Sequence, residues 1–538
     1  MKKGLTKDDV RLLLKRRQFA MGKDSSWEWL LRRTYELSQP NRNIFQRQTA
    51  DGTNKNWQVF DTTLVLATRR FVNKMQQALV PDQVNWFQFT PGEEVNLDEL
   101  DDDEKANIQK QLQSYTDKFF RYLKRSNFYT CINESFYDLA VGTGALQCNE
   151  TEEDANPFVF SSIPMDRIYF SEGAYGTIDA VFRDHWDMPL YNAETVWNGF
   201  KLPANFNTKG QDPYEIKLTL YEVAYFDYKL KMYRYCVIEK STGEIAYEEE
   251  TSPSWPFIIF RWYKLPGEDR GRGPCIDAGP SAATINKVME DEILAADLMS
   301  KPIYMGYSDG LFNPDTFQIS ANSVISVNPI ASNGGNWPIA PLPPAGNVEY
   351  AAIVLADLRD AINKIMFNNP LGPVENAPVL TATEVAIRQN EVMEDAAASF
   401  LRLQKELFEP LINRCLYILK KKGLFPPIVI DNKLIELKFQ TPLSLGKGQI
   451  DVNQFMLWWQ NSVNVLGPQL ALASIDFAKV PYWMAENMNV YLGFVKNADE
   501  MKAAIEELKQ AAQQAANDQQ LLQGGLNAGT TEPSGVAA

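Results

Sequence analysis

Residues Asn368 to Arg414, "NNPLGPVENAPVLTATEVAIRQNEVMEDAAASFLRLQKELFEPLINR", join a segment broken by proline and glycine to a long helical pattern. Thr381, Ala382, Thr383 and Glu384 spell a capping box: the Thr381 hydroxyl accepts from first-turn amides and Glu384 reaches back to the cap. A helix start is therefore expected at Thr381. Pro370, Gly372, Pro373 and Pro378 precede it, and such residues neither continue a helix nor pair inside a central strand. A stiff rod thus carries a loop at its end. Pro410 lies inside "LQKELFEPLINRCLY" and removes the amide that would bond the Glu406 carbonyl, so the rod is expected to bend there. Neither part holds a catalytic or metal-ligating set, which points to mechanics or binding.

With 538 residues the chain exceeds one hydrophobic core. Hydrophobic residues are 45% and aromatics 12%, the values of a folded globular protein. Lys+Arg total 53 against Asp+Glu 68, a formal charge of -15, which argues against a surface that grips nucleic acid all over. A protein that lets DNA slide past it stays open. The five cysteines, Cys131, Cys148, Cys236, Cys275 and Cys415, are odd in number and never at CxxC spacing, so reduced, intracellular folding without a disulfide frame or zinc cluster is expected. The N-terminus lacks the apolar run of a signal peptide. The uncharged stretches Val452 to Ile475 and Thr316 to Val348 are interrupted by Asn, Gln, Ser, Gly and Pro, so no membrane insertion is expected.

The region up to Pro81 reads as helices: Thr6 caps "KDDVRLLLKRRQ", "SSWEWLLRRTYELS" follows, and "FDTTLVLATRRFVNKMQQAL" sets Leu64, Phe71, Met75 and Ala78 on one side. The cluster Lys15, Arg16, Arg17, Arg32 and Arg33 reads as a solvated helix face before it reads as a phosphate contact. Between Glu93 and Glu104 eight of twelve residues are acidic, which suits a helix N-terminus; the central Gly of a calcium loop is missing. Gly142-Thr143-Gly144 follows a helical run and precedes a strand, the reverse of a dinucleotide site, so Gly142 reads as a helix C-cap. From Phe158 to Phe260 short apolar runs alternate with turn residues and predict a mainly antiparallel sheet. "GEDRGRGPC" reads as a turn, because no Gly-Lys-Ser/Thr follows it. The only histidine, His185, sits in a strand beside Asp184 and Asp187 and reads as structural; imidazole-based nucleophilic schemes have no other candidate.

Two further rods frame an unusual excursion. After Pro280, read as a helix start, "SAATINKVMEDEILAADLMS" sets Ile285, Val288, Ala295 and Met299 in a heptad-like row. "EYAAIVLADLRDAINKIMF" gives a cleaner row, Ala351, Leu355, Leu358, Ile362 and Ile365. Between them Pro302 to Val348 carries only two charges, Asp309 and Asp315, and ends in "NWPIAPLPPAG". So long a loop with so little charge is expected to pack on neighbouring chains. The rods carry seven acids against three bases, a mildly acidic wall.

Taken in order, "DLAVGTGAL", "FIIFRWYKLPGEDRGRGP", the rod pair, "LTATEVAIRQNE" and "FLRLQKELFEPLINR" resemble the head-to-tail connector, or portal, proteins of short-tailed, podovirus-type phages, over about Trp27 to Ser444. The resemblance implies an α+β, mainly helical subunit in a ring of about twelve copies around a DNA channel at one capsid vertex. It implies a wing (1–280), stem helices (281–300 and 347–367), a clip (301–346), a tunnel loop (368–380), a long kinked wing helix (381–423) and a crown (424–538) ending in a short barrel helix. Asn369, Leu371, Val374, Glu375 and Asn376 would face the channel. Leu355, Leu358, Ile362 and Ile365 would pack between subunits, and Trp337, Pro338 and Ile339 would dock partners.

The implied setting is the virion head-tail vertex, after assembly in the host cytoplasm. The implied partners are double-stranded DNA, the terminase motor, tail adaptor and nozzle proteins, major capsid and scaffolding proteins, and ejection or core proteins. No cofactor and no enzymatic activity are implied. A different virion ring, such as a tail adaptor, is the alternative. An enzyme working through acidic residues, a metal-dependent nuclease or a glycosidase, is the remaining class.

Overall fold

Thr6 opens the first helix, α1 (Lys7–Ser38), with a complete capping box: its hydroxyl accepts the Asp9 amide, and the Asp9 carboxylate accepts the Thr6 amide at 3.0 Å. The computed structural model describes residues 5–42, 44–45, 59–92, 102–173, 176–203, 206, 212–249, 251–300, 304–306, 339–341, 348–368, 398–425, 435–439, 442–467, 475, 480–487, 501–502 and 504. The two helices expected before Pro40 are one. Gly22 does not break α1, and the Ser25 and Ser26 hydroxyls fold back onto the Gly22 and Lys23 carbonyls at 2.7 Å.

The chain divides into two units, Met1–Gln76 with Phe119–Val429, and Gln77–Lys118 with Ile430–Ala538. The larger unit is built in four layers. A five-stranded antiparallel sheet runs β4 (Ile168–Glu172), β5 (Ile178–Pro189), β6 (Lys217–Asp227), β7 (Met232–Glu239), β8 (Ile245–Glu248). Its strands alternate apolar side chains to both faces. Phe182, Val223, Cys236 and Ile238 meet Val10, Leu13 and Ala20 of α1. Val181, Leu220, Ala224 and Val237 meet Ala145, Phe257 and Ile259 of a second sheet, ordered β3 (Phe158–Ser162), β2 (Thr143–Glu150), β9 (Phe257–Arg261). Helix α4 (Phe128–Val141) covers that sheet's outer face, with Phe136 edge-on to Phe260 at 6.2 Å. Helix α8 (Glu409–Lys421) lies there too: Arg414 Nε donates to the Cys148 carbonyl at 3.2 Å.

Polar groups cross these apolar layers at a few points. Glu222 is fully buried between the sheets and accepts from Gln147 of β2 (2.5 Å), the Tyr235 hydroxyl (2.6 Å) and His185 Nε2 (2.8 Å). Trp197, at the end of α5 (Leu190–Val196), in turn donates through Nε1 to Tyr235 Oη at 2.7 Å. Burial pushes the Glu222 carboxyl up, but the His185 hydrogen bond, the Arg183 guanidinium and the Tyr235 hydroxyl outweigh it and hold its pKa below the ordinary value. His185 is structural, as its sequence context suggested.

The basic cluster of α1 differs from expectation. Arg17 is buried in a bidentate pair with Asp184 and lies 3.8 Å from the Tyr221 ring centroid, and Arg16 binds Ser171 and Asp179. Only Lys15, Arg32 and Arg33 are on a solvated face. The reason is topological: β5 brings Asp179 and Asp184 under α1, and a buried guanidinium demands a carboxylate.

The tightest packing joins α4 to the turn after β9. Gly142 caps α4, its amide bonding the Asp138 carbonyl at 2.9 Å. A Cβ on Gly142 would lie 2.2 Å from the Gly271 carbonyl oxygen, and one on Gly271 would lie 2.5 Å from that of Gly142. A Cβ on Gly273 would meet the Ala140 carbonyl oxygen at 2.5 Å. The segment Glu268–Gly273 is the expected turn, closed by Tyr263 and Arg272 bonding each other's backbones at 3.1 and 2.8 Å.

Helix α6 begins at Pro274 and runs through Pro280 to Ser300, where a start after Pro280 was expected. Proline within the second turn removes only the bond to the Ile276 carbonyl, and buried Cys275, Ile276 and Ala278 anchor the preceding turn. Helix α7 (Val348–Ile365) packs on α6, with Ile285, Leu355 and Ile362 all buried inside the chain. Between these helices, β10 (Tyr304–Gly306) and β11 (Ile339–Pro341) pair antiparallel.

In the smaller unit β1 (Phe87–Pro91) pairs with β12 (Ile435–Phe439) from Phe87↔Phe439 to Pro91↔Ile435. Thr116 of α3 (Asp102–Arg125) accepts the Phe89 amide at 3.2 Å. Helices α9 (Pro442–Leu466) and α10 (Val480–Asn487) meet through Phe455 and Trp483, ring centroids 5.3 Å apart.

Three outcomes are expected. Gly271→Ala, which has no room for its methyl, should lose several kcal/mol in denaturant titration. Gly22→Ala, within α1 and with no neighbouring segment within 4 Å of its added carbon, should be neutral or gain up to about 1 kcal/mol. Because the Glu222 pKa is depressed on folding, its contribution is present above the unfolded carboxylate pKa and is lost as pH falls through the folded value. Glu222→Gln should cost about 3–5 kcal/mol at neutral pH and show a shallower loss of stability below about pH 4.5 than the parent chain.

Candidate functional site

The C-terminal end of α7 is fixed with unusual firmness, and it is where the chain enters the segment expected to form the loop. The Phe367 amide bonds the Lys364 carbonyl at 3.0 Å and the Asn368 amide bonds that of Asn363 at 2.8 Å, the paired bonds of a Schellman cap. Such a cap places its C′ residue in the left-handed region. At the end of α8 that residue is Gly423 (φ 69°); at the end of α7 it is Phe367 (φ 54°). A side chain there costs about 1–2 kcal/mol.

The surroundings offset this cost. Phe367 completes a trio with Phe71 of α2 (Thr63–Leu79) and Trp262, with centroids 5.3 to 6.4 Å apart. Lys74 Nζ donates to the Phe367 carbonyl at 2.9 Å, and Asn368 Nδ2 donates to the Ala67 carbonyl at 2.7 Å. Higher on α7, Arg359 reaches Asp61 at 2.6 Å; the same carboxylate accepts the Thr63 amide at 2.8 Å at the start of α2. The Thr63 bonds and the Arg359 guanidinium hold the Asp61 carboxyl below its ordinary pKa although burial opposes them.

A second clasp holds the described part of the expected rod, residues 398–421. Residues 398–403 are helical, Gln404–Phe408 form a π-turn, and α8 starts with Pro410 in its first turn. The sequence predicts a bend at Pro410; the structure shows a π-turn just before it, which widens the helix there. Glu406, inside that turn, accepts from Arg261 at Nη2 (2.7 Å), Nε (3.1 Å) and the backbone amide (3.0 Å), and from Arg402 at 3.1 Å. Arg261, only 2% exposed, also binds Glu172 of β4 and donates to the Asp269 carbonyl at 2.8 Å. One guanidinium therefore ties together the π-turn, both sheets and the glycine turn. Arg261 and Glu406 are 145 residues apart, so no spacing rule pairs them. The available signals were an arginine ending the apolar strand "FIIFR" and a glutamate four residues before a helical proline.

Of the residues expected to line a channel, Asn369, Leu371, Val374, Glu375 and Asn376 lie outside the described residues, as do Trp337, Pro338 and the capping box at Thr381. Ile339 opens β11. In the row Leu355, Leu358, Ile362 and Ile365, the first and third are buried within the single chain and the others are half-buried. Among the described residues, the helix pair's exposed large apolar side chains are Ile293, Leu294, Ile353 and Val354, 50% to 63% exposed. Arg359 Nη2 lies 3.6 Å from Met289 Sδ, and counting along the antiparallel helices from that contact sets the four at one level.

Chemistry is sparse among the described residues. No group of three or more His, Cys, Asp or Glu is placed to hold a metal, and no helix is long and apolar enough to cross a membrane. All five cysteines are buried and free, and burial pushes the Cys236 and Cys275 thiols up to about 12. An open cleft of about 460 Å³ lies beside Gln39, Arg42, Arg69, Glu134 and Tyr137. Arg42 is already committed to Asp138, which also accepts the Tyr35 hydroxyl at 2.7 Å.

The arrangement is one of clasps and anchors. No curated protein matches the chain. Among solved structures, a chain from the virion of a native gene transfer agent particle aligns at 12% identity and TM-score 0.31, covering 75% of this chain and 90% of that one. A chain from the neck of an empty gene transfer agent particle aligns at 14% and 0.31, covering 72% and 88%. The model of the bacteriophage head to tail connecting protein family matches residues 11–495, and the chain belongs to that structural family.

Proposed function

We propose that this chain is the portal-type member of its virion: the subunit of a ring, of about twelve copies, around a channel that DNA enters during packaging and leaves at ejection. The observation that carries the reading is the antiparallel pair α6–α7, which brackets residues 301–347 and ends at the pinned Phe367. In this reading α6 and α7 are the stem, the bracketed segment with β10 and β11 is the clip, and residues 368–380 are the tunnel loop. The clip docks first the terminase motor and then the tail adaptor.

A duplex moves through such a channel only if it is not held. Each phosphate neutralised by Lys or Arg adds counterion-release affinity. The stem pair suits passage: of its three bases, Lys287 is paired with Glu290 and Asp291 at 3.0 and 3.2 Å and Arg359 with Asp61 at 2.6 Å. Asp291, Asp297, Asp357 and Asp360 face outward. Retention then falls to the shape of the loop, which carries one carboxylate, Glu375, and no lysine or arginine. Because Leu355 and Ile362 are used inside the subunit, contact between neighbouring stems falls to Ile293, Leu294, Ile353 and Val354.

Native mass measurement and electron micrographs of the purified chain test the reading: closed rings of about twelve copies are expected, and a monomer or dimer would sink it. Ile353→Asp with Leu294→Asp should leave a folded subunit that no longer closes rings. Leu355→Ala should instead destabilise the subunit itself by about 2–5 kcal/mol. In particles, shortening the chain between Gly372 and Ala377 should let packaged DNA leak while Glu375→Gln retains it. Equal loss in both would point to charge in place of shape.

A further inference from the structure

Two surfaces at opposite ends of the sheet pair are complementary to each other and not to their own surroundings. At one end the β6–β7 hairpin presents Tyr228, Leu230 and Met232, 50%, 49% and 39% exposed, interleaved with Lys229 and Lys231. It is joined to α1 by Asp179, whose carboxylate takes both Arg16 and the Tyr228 hydroxyl (3.3 Å). Gly173 leaves room for that hydroxyl, since a Cβ there would lie 2.3 Å from it. On α1 the neighbours of Arg16 are Leu12 and Phe19, 64% and 69% exposed, with Arg11 and Lys15 alongside. Arg11, Lys15, Lys229 and Lys231 form no ion pair among the described residues, in a chain of net charge -15.

At the other end the β2–β3 turn carries Glu152, Glu153 and Asp154, all exposed. Glu152 has Asn198 at 3.5 Å, Asp154 has Lys422 at 3.4 Å, and Glu153 has no ion pair among the described residues. Exposed Val159 and Val196 flank the turn. The separation follows from register. Thr143 of β2 pairs with Arg261, which binds Glu172 next to Gly173, so the hairpin lies at the Thr143 end of β2. The acidic turn follows Glu150, roughly 23 Å away at about 3.3 Å per residue.

We propose that the apolar, basic face of α1 and the β6–β7 hairpin receives the acidic β2–β3 turn of a second copy of this chain. Like signs would repel in a face-to-face pair. Opposite signs at opposite ends instead give a head-to-tail contact that repeats from copy to copy and closes into a ring when the rotation permits. The inference rests on the ring reading and adds to it which surfaces meet outside the α6–α7 pair.

The test is a charge swap in the full chain, followed by sedimentation velocity across subunit concentration and salt. Lys229→Glu with Lys231→Glu should raise the concentration for half-assembly by roughly tenfold at low salt, with a smaller difference at high salt. Adding Glu152→Lys and Glu153→Lys to the same chain should restore assembly, because attraction returns with its sign exchanged. Weakening without restoration would overturn the proposal by showing that another acidic partner uses the face. Rings that assemble alike in all three chains would overturn it while leaving the ring reading intact. A parent chain that stays monomeric at every concentration would remove the ring reading, and this contact with it.

Discussion

The larger unit depends on a contact in which two backbones touch with no side chain between them. Gly142 and Gly271 approach so closely that a Cβ on either would overlap the other's carbonyl. Around that point the Trp262 amide bonds the Gly142 carbonyl at 2.9 Å and the Gly271 amide bonds Thr143 Oγ1 at 2.9 Å. The contact sets the end of α4, the start of β2 and the turn after β9 with respect to one another. Arg261, Trp262 and the beginning of α6 inherit their positions from it. Interiors at native density leave no slack to absorb an added methyl group at such a place.

From that point order spreads in two directions. Arg261 carries it to the π-turn through Glu406 and to the five-stranded sheet through Glu172. Trp262 carries it to α2 and the end of α7 through Phe71 and Phe367. Both routes use groups whose alternatives are poor. A buried guanidinium without its carboxylates is costly, and a ring removed from an aromatic trio forfeits its burial and its edge contacts. The α6–α7 pair and residues 398–421, which end in α8, are therefore held to this body at defined points.

How much of this was legible depends on sequence distance. The cap at Thr6, the C-cap at Gly142 and the helix ends before Pro40 and Pro81 rest on neighbours within a few residues, and all are found. Pro280 misled because a proline preceded by a well-buried turn is tolerated inside a helix. Arg16 and Arg17 read as solvated because their carboxylates lie over 150 residues further on. The heptad row on α7 was visible, but periodicity shows that a face is apolar and not which partner covers it. For the expected channel residues, order along the chain was all the sequence offered, and their geometry lies outside the described residues.

A helix ordinarily frays from its ends, and the last amides of an isolated helix exchange with solvent almost freely. Helix α7 is denied that freedom, because Phe367 cannot leave the left-handed region without dragging a ring out from between Phe71 and Trp262. A pull on the chain beyond Asn368 is not taken up by unwinding the final turn. It passes as tension into Lys74, Ala67 and the glycine contact behind Trp262, so Asn368 is a grounded post that returns to the same place when the load is released.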